Sequence, residues 1–395
     1  MTRTHIYLDH AATTPLRSEV LEAMMPYMTD AYGNPSSLHA YGRESRSALD
    51  RARHEMASYL NCDPQELVFT SGGTESDNTA LFGAAWYHQS SSSSSSSRGH
   101  IITTSVEHHA VLHTCKRLEE LGFDVTYLPV DDCGQVSVAQ FLSVIRPDTF
   151  LVSVIYGNNE VGTLQPIIQI GQAARERGIL MHTDAVQALG AIPIDLHELP
   201  VDLLSASAHK INGPKGVGLL YHRRGVRWKP LLYGGSQERD HRAGTENVPG
   251  IVGFAKAMQL VHDERSVRPK RIEHIRHAFL ETLAAHVRST DMMINGHPTE
   301  HLPHIVNVSF PGLSSDTLLM NLDLAGIAAS SGSACSAGSL EISHVLRAMC
   351  LPDECLASAV RFSFGHGSTP EVAQEAAERI ATVVNRMHQL IGASR

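Results

Sequence analysis

The sequence predicts an α/β protein in which a large domain, built on a mainly parallel sheet flanked by helices, carries a smaller α+β domain. Three observations lead there. Between about Leu67 and His222, short β-rich runs alternate with helical patterns, as they do when helices cross over a parallel sheet. Beyond about Asp263 the pattern changes to amphipathic helices around separate β-runs. Finally, 395 residues are more than one hydrophobic core usually organises.

Taken in order, LVFT (67–70) leads into the helical TESDNTALFGAAWYH, and HIITTS (100–105) into HHAVLHTCKRLEELG. TFLVSVIYG (149–157) then precedes IIQIGQAARERG, and ILMHTDAV (179–186) follows as a further strand. Loops after the carboxyl ends of such strands are where ligands bind. The run Ser90 to Ser97 lies between a predicted helix and a predicted strand and reads as a flexible surface loop without a function. In the last third, Ile272 to Val287 and Pro370 to Ile391 are amphipathic helices around the β-runs IVNVSF and AVRFSFG. The expected division is a large domain over 15–262 and a small domain formed by 1–14 with 263–395.

With 42% hydrophobic and 18% charged residues the chain can bury a core, and a net charge of −9 leaves no general basic field, which argues against nucleic acid as a direct ligand. A small anion is not excluded. No apolar run is long enough to cross a bilayer, and Met1 to Leu8 lacks the basic-then-apolar order of a secretory signal, which points to the cytoplasm. Six scattered cysteines without a CxxC pair fit reduced thiols.

The chemistry-bearing segments fall after strands. SASAHK (205–210) places Lys210, one of only six lysines, behind an apolar run. A partly buried lysine loses its proton readily and becomes a nucleophilic amine, although a structural lysine satisfies the same pattern. Asp184 in HTDAVQ ends a strand, where a carboxylate can hold a protonated ring nitrogen or serve as a cap, a ribose ligand or a metal ligand. In TSGGTESDN (70–78) a strand runs into a glycine turn and a helix start, so the N–H groups of Gly73 and Thr74 face any anion there. Ser207, His209 and Thr245 are candidates to complete that cradle. His108 in SVEHHAV opens a helix after a strand and could stack on a ring and exchange protons; Asn159 in YGNNE could bind a ring oxygen or a carboxylate, or simply form a turn. Cys335 sits among small residues in AASSGSACSAGSLE (328–341), which cannot anchor a core, so an exposed thiol on a flexible loop is expected. Arg361, charged within the apolar AVRFSFG, needs a partner, and a carboxylate gripped by both arms of the guanidinium is a natural one.

These segments, with YLDHAATTP, GNPSSLHAYGR and GGSQERDHRAGTEN, resemble the cysteine desulfurases of the NifS and IscS type, within the fold-type I pyridoxal 5′-phosphate (PLP) enzymes. The resemblance implies that Lys210 holds PLP covalently, that Asp184 pairs with the ring nitrogen, and that Gln187 bonds the ring hydroxyl. It further implies that His108 stacks on the ring and that Gly73, Thr74, Ser207 and His209 bind the phosphate, with Thr245 reaching across from the second subunit of a homodimer. Asn159 and Arg361 would orient L-cysteine, and Cys335 would receive its sulfur as a persulfide for transfer to an acceptor or scaffold protein in iron–sulfur cluster assembly or thiolation. No metal is expected. Three positions depart from the common family pattern: Ala208 in place of glycine, Ile342 in place of proline, and an end at Arg395 without the longer tail of some relatives. A selenocysteine lyase or another PLP aminotransferase is the alternative enzyme; an inactive scaffold subunit would be expected to lack Lys210 or Cys335.

Overall fold

The computed structural model describes residues 5–91, 98–331 and 342–393. The chain begins with the short strand β1 (Ile6–Tyr7) and the helices α1 (Ser18–Thr29) and α2 (Ala40–Leu60). Then come β2 (Leu67–Thr70), α3 (Gly73–Ser91), β3 (His100–Thr104), α4 (His109–Glu120), β4 (Asp124–Leu128), α5 (Val138–Val144), β5 (Thr149–Ser153), α6 (Ile167–Arg175) and β6 (Leu180–Asp184). β7 (Leu203–Ser207), β8 (Gly218–His222) and α7 (Val248–Asp263) follow. The remainder consists of α8 (Arg268–His286), β9 (Met293–Asn295), β10 (Ile305–Ser309), α9 (Ser315–Leu324), β11 (Ile327–Ala328), α10 (His344–Ala348), α11 (Asp353–Leu356), β12 (Ala359–Ser363) and α12 (Pro370–Ala393).

Among the described residues the main sheet has seven strands in the order β2-β8-β7-β6-β5-β3-β4. Strands β7, β6, β5, β3 and β4 pair in parallel, whereas β8 runs antiparallel to both β7 and β2. The exception has a local cause. Only ten residues separate Ser207 from Gly218, too few for the helical crossover that a parallel neighbour needs. Because β2 is antiparallel to β8 in turn, the carboxyl ends of β2, β3, β5, β6 and β7 share one edge of the sheet, and the loops after them converge.

Strands β2, β3, β5, β6, β7 and β8 are buried on both faces, as their continuous apolar runs require, while the edge strand β4 is only partly buried. One core lies between the sheet and the helices of that half, with Leu49, Met56, Phe69, Phe141, Ile170 and Phe254 in it. A second joins β1, α8, β10, β12 and α12 through Ile6, Leu8, Phe279, Phe310, Phe362 and Val384. Each such side chain contributes roughly 1.5–3 kcal/mol relative to exposure. The first residues enter the second core because β1 pairs in parallel with β11.

Two details differ from the sequence expectation. Ser90 and Ser91 are not loop but the last turn of α3, where both hydroxyls donate to the Tyr87 carbonyl at 2.9 and 2.8 Å and so satisfy a helix-end acceptor. Residues 92–97 of the serine run lie outside the described residues. The last-third helices are longer than their apolar periodicity suggested, α8 starting at Arg268 because Pro269 is tolerated in a first turn.

Candidate active site

The sheet edge carries a cavity of about 300 Å3 lined by Gly73 and Thr74 after β2, His108 after β3, Asn159 after β5, Asp184 and Gln187 at and beyond the end of β6, and Ser207, His209 and Lys210 at the end of β7. Arg361 from β12 closes it. The side chains singled out in separate loops therefore meet at one place, with two exceptions. Thr245 is exposed and does not line this cavity. Cys335 lies outside the described residues.

Lys210 stands in a one-turn 3-10 helix, Ala208–Lys210, directly after β7. Its Nζ donates to the carbonyls of Ala11 (2.5 Å) and Ala12 (2.8 Å). The turn is stitched to the same N-terminal segment: the Thr14 N–H and hydroxyl both donate to the His209 carbonyl, and Asn212, in a left-handed conformation (φ 65°) that asparagine tolerates, donates to the Pro15 carbonyl. Ala208 is fully buried in the core, so the packing at the lysine turn accommodates its methyl.

Asp184 is buried, with one oxygen accepting from the Val186 N–H at 2.9 Å. Burial pushes its carboxyl up to about 6, and the nearby Lys210 cation opposes that shift. Two further buried acids surround it. Asp77, on the inner face of α3, is held well above the carboxylate range by burial and by Asp184; its Oδ1 lies 3.6 Å from His182 Nε2 without a hydrogen bond. Glu107 is pushed up to about 8 by burial, although Thr104 Oγ1 and the Ile155 N–H donate to its Oε1. Oxygens of Asp77 and Asp184 and a ring nitrogen of His108 all lie within 4.8 Å of one another.

His108 caps α4, its Nδ1 accepting from the Ala110 N–H at 3.1 Å, and burial together with the Lys210 charge lowers its pKa to about 4, so the ring is neutral near pH 7. His209 is lowered to about 4 by burial and by Lys210 and Lys215, and its Nδ1 lies 3.1 Å from the Thr13 hydroxyl. Gln187 donates to the Ala11 carbonyl at 2.8 Å and faces His304 at 3.3 Å, which leaves one amide hydrogen for a ligand. Arg361 is 2% exposed and is already paired: Nη2 donates to Asp9 at 2.9 Å and Nη1 to the Asn159 carbonyl at 2.8 Å. Asn159 therefore contributes its peptide oxygen, while the buried Asn158 holds the loop through Val106, Glu160 and Val161.

The sequence reading missed Asp9, Asp77, Glu107 and Glu160. Asp77 did leave a signal, for it lies on the same helical stripe as Ser76, Ala80, Leu81 and Ala84, all buried. Glu107, beside His108, left none beyond its proximity.

The donor set suits a flat, phosphorylated pyridine aldehyde. A buried carboxylate is available for a ring nitrogen, a neutral imidazole for its face, an amine for its aldehyde, and the start of the nineteen-residue α3 for its phosphate. At that start a Cβ on Gly73 would come within 2.6 Å of Val186 Cγ2, so the cradle is tight enough that only glycine fits without a shift.

Residues 6–375 match the family described as Aminotransferase class-V. A cysteine desulfurase IscS of Methanosarcina thermophila is 47% identical over 98% of this chain and 93% of its own length. Among solved structures, one titled NifS-like protein is 38% identical with a TM-score of 0.89, covering 97% of this chain and all of its own. Another, titled SspA in complex with cysteine, is 37% identical with a TM-score of 0.80, over 91% of this chain and 98% of that one.

Proposed function

The chain belongs to the class-V aminotransferase family, whose members depend on pyridoxal 5′-phosphate, and from that premise we propose that it is a cysteine desulfurase that holds the extracted sulfur as a persulfide on Cys335. The carrying observation is the convergence of Lys210, Asp184, His108 and the α3 start in one cavity, in a chain nearly half identical to a named cysteine desulfurase.

In this reading Lys210 anchors the cofactor, Asp184 holds its ring nitrogen, and Gln187 its ring hydroxyl. Gly73, Thr74, Ser207 and His209 hold the phosphate. When bound, the cofactor supplies an electron sink for carbanion chemistry at the substrate Cα. Arg361 and Asn159 orient the L-cysteine carboxylate. Lys210 Nζ takes the Cα proton, and His108, neutral near pH 7, stacks on the ring and passes protons at the substrate. Overall, the Cβ–S bond of cysteine breaks, an S–S bond forms with Cys335 Sγ, and one thiol proton ends on Cβ. Carbon gains the electron pair that sulfur yields, so the products are alanine and persulfide without an outside oxidant.

The working unit is a homodimer with Thr245 completing the phosphate cradle across the interface. Exposed apolar residues support this: Leu38 is 90% exposed, and Tyr32 (69%) and Tyr41 (53%) stack on each other. Arg46 on the adjoining α2 bonds Glu246 at 3.4 Å, beside Thr245. The cluster around Ile6, Leu8, Phe279, Phe310 and Val384 draws only on 1–14 and 263–395 and supports the division there from 15–262. Cytoplasmic sulfur acceptors, in cluster assembly or thiolation, are the partners; no helix among the described residues is long and apolar enough to cross a membrane.

The test is direct. Holoenzyme given labelled L-cysteine should release alanine and carry one labelled sulfur on Cys335, and Cys335→Ala should keep the bound-cofactor colour while losing persulfide and turnover. Full turnover by that variant would refute the persulfide step.

A further inference from the structure

Glu160 is a buried acid, 2% exposed, that the chemistry above does not use. It follows Asn159, whose carbonyl accepts from Arg361 at 2.8 Å. Its own Oε2 accepts a 2.6 Å hydrogen bond from the hydroxyl of Ser343, itself 6% exposed. Ser343 stands two residues beyond the segment 332–341 that contains Cys335, and it caps α10 by accepting from the Leu346 N–H at 3.2 Å. On the other side of that segment, Ser330 is bridged to Arg361 by backbone bonds in both directions, 2.7 Å for Arg361 N–H to Ser330 and 3.3 Å for the reverse. The two flanks of the Cys335 segment are thus tied to the two groups proposed to grip the substrate carboxylate, one flank to Arg361 directly and the other to the Asn159 loop through Glu160.

We infer that Glu160 is a positioning residue for the sulfur-transfer step: by holding Ser343 it fixes the downstream flank of the Cys335 segment to the loop that orients the substrate. That bond joins Ser343, at the start of α10, to the Asn159 loop, and its loss leaves the downstream flank without this side-chain tie. A thiol must meet the substrate sulfur within a narrow range of distance and angle, and small displacements of a reacting group cost rate steeply. Substrate capture does not depend on the clamp, because Arg361 keeps its own partners, Asp9 and the Asn159 carbonyl. The Asn159 loop likewise stays pinned by the buried Asn158, which donates to the Val106 carbonyl at 2.9 Å. The surroundings suit a lasting bond. Burial raises the Glu160 carboxyl, while Ser343, Arg361 and His109 pull it back toward the ionised form that makes the better acceptor.

This inference rests on the desulfurase reading, and the experiment separates the two. Glu160→Ala, Glu160→Gln and Ser343→Ala are made in the full chain and loaded with PLP. Two quantities are read with L-cysteine in single-turnover mixing: the concentration dependence of the cofactor's spectral change, which reports substrate binding, and the rate at which Cys335 acquires sulfur, read by mass. Glu160→Ala and Ser343→Ala should slow Cys335 loading by about tenfold or more while the half-saturating cysteine concentration moves by less than about threefold. Glu160→Gln, whose amide oxygen still accepts from Ser343, should stay within about threefold of wild type in both. Normal loading by Glu160→Ala overturns the inference. So does slowing in Ser343→Ala alone, which would make the serine only a helix cap, or a loss confined to cysteine binding. If Glu160→Ala fails to fold, Glu160→Asp, too short to reach Ser343, takes its place with the same expectation. Wild-type protein that never loads Cys335 would instead sink the desulfurase reading itself.

Discussion

Lys210 and the three acids near it pose a charge problem that individual side chains solve. Burial raises all three carboxyls, and the Asp184 charge raises Asp77 and Glu107 further, so the cluster favours keeping protons over carrying three charges. The pH dependence of the cofactor-free protein follows. Glu107 is raised from 4.5 to about 8, so between those values the native state binds more protons than the unfolded chain, and stability falls as pH rises. Asp184, raised from 3.8 to about 6, acts in the same direction over a lower window. Below about pH 6.5 the buried neutral histidines, His108 and His209 among them, act the other way, so the decline in urea midpoint should show between about pH 7 and pH 9, and Glu107→Gln should flatten it. A variant that tracks wild type at every pH would show that Glu107 is not the group responsible. Lys210→Ala should lower turnover by a factor on the order of 10² to 10⁴. It should also leave no lysine labelled when borohydride treatment of the loaded protein is followed by peptide mapping; label on another lysine would displace Lys210 from its role.

Strands, turns and helices supply the geometry that these side chains need. Each parallel strand ends at the same edge, so a residue two to six positions past a strand enters the cavity without any long loop. That is why the motifs could be located from alternation alone, as strand followed by turn followed by helix. The antiparallel β8 serves the site indirectly. Its first residue, Gly218, lies against the turn before α3, and a Cβ there would come 2.6 Å from the backbone of Gly72. Backbone cannot yield as a side-chain tip can. Gly218→Ala should displace the α3 start and weaken PLP retention by about tenfold or more, measured by dialysis and absorbance, with a lowered thermal midpoint. Unchanged retention would mean that the phosphate cradle does not depend on this approach.

The proposed homodimer would add what one chain lacks. Thr245 is exposed and does not line the cavity, and Tyr32, Leu38 and Tyr41 are exposed apolar side chains, the two tyrosines stacked on each other. Leu38→Asp combined with Tyr41→Asp should shift sedimentation toward monomer, and the monomer should release PLP more readily than the dimer. A double variant that remains dimeric with full cofactor affinity would place the interface elsewhere.

The linear order of residues was enough to reveal the alternating architecture and the glycine turn and to single out Lys210 as a candidate amine, because those depend on periodicity and on residue types that few local structures accommodate. Folding was needed to show that Arg361 is engaged by Asp9, that Asp77 and Glu107 crowd Asp184, and that Glu160 reaches Ser343 across 183 positions. The physical reason is distance along the chain. Local pattern reports which face a residue presents, whereas charge, desolvation and hydrogen-bond partnership arise from neighbours that only the packed structure brings within reach.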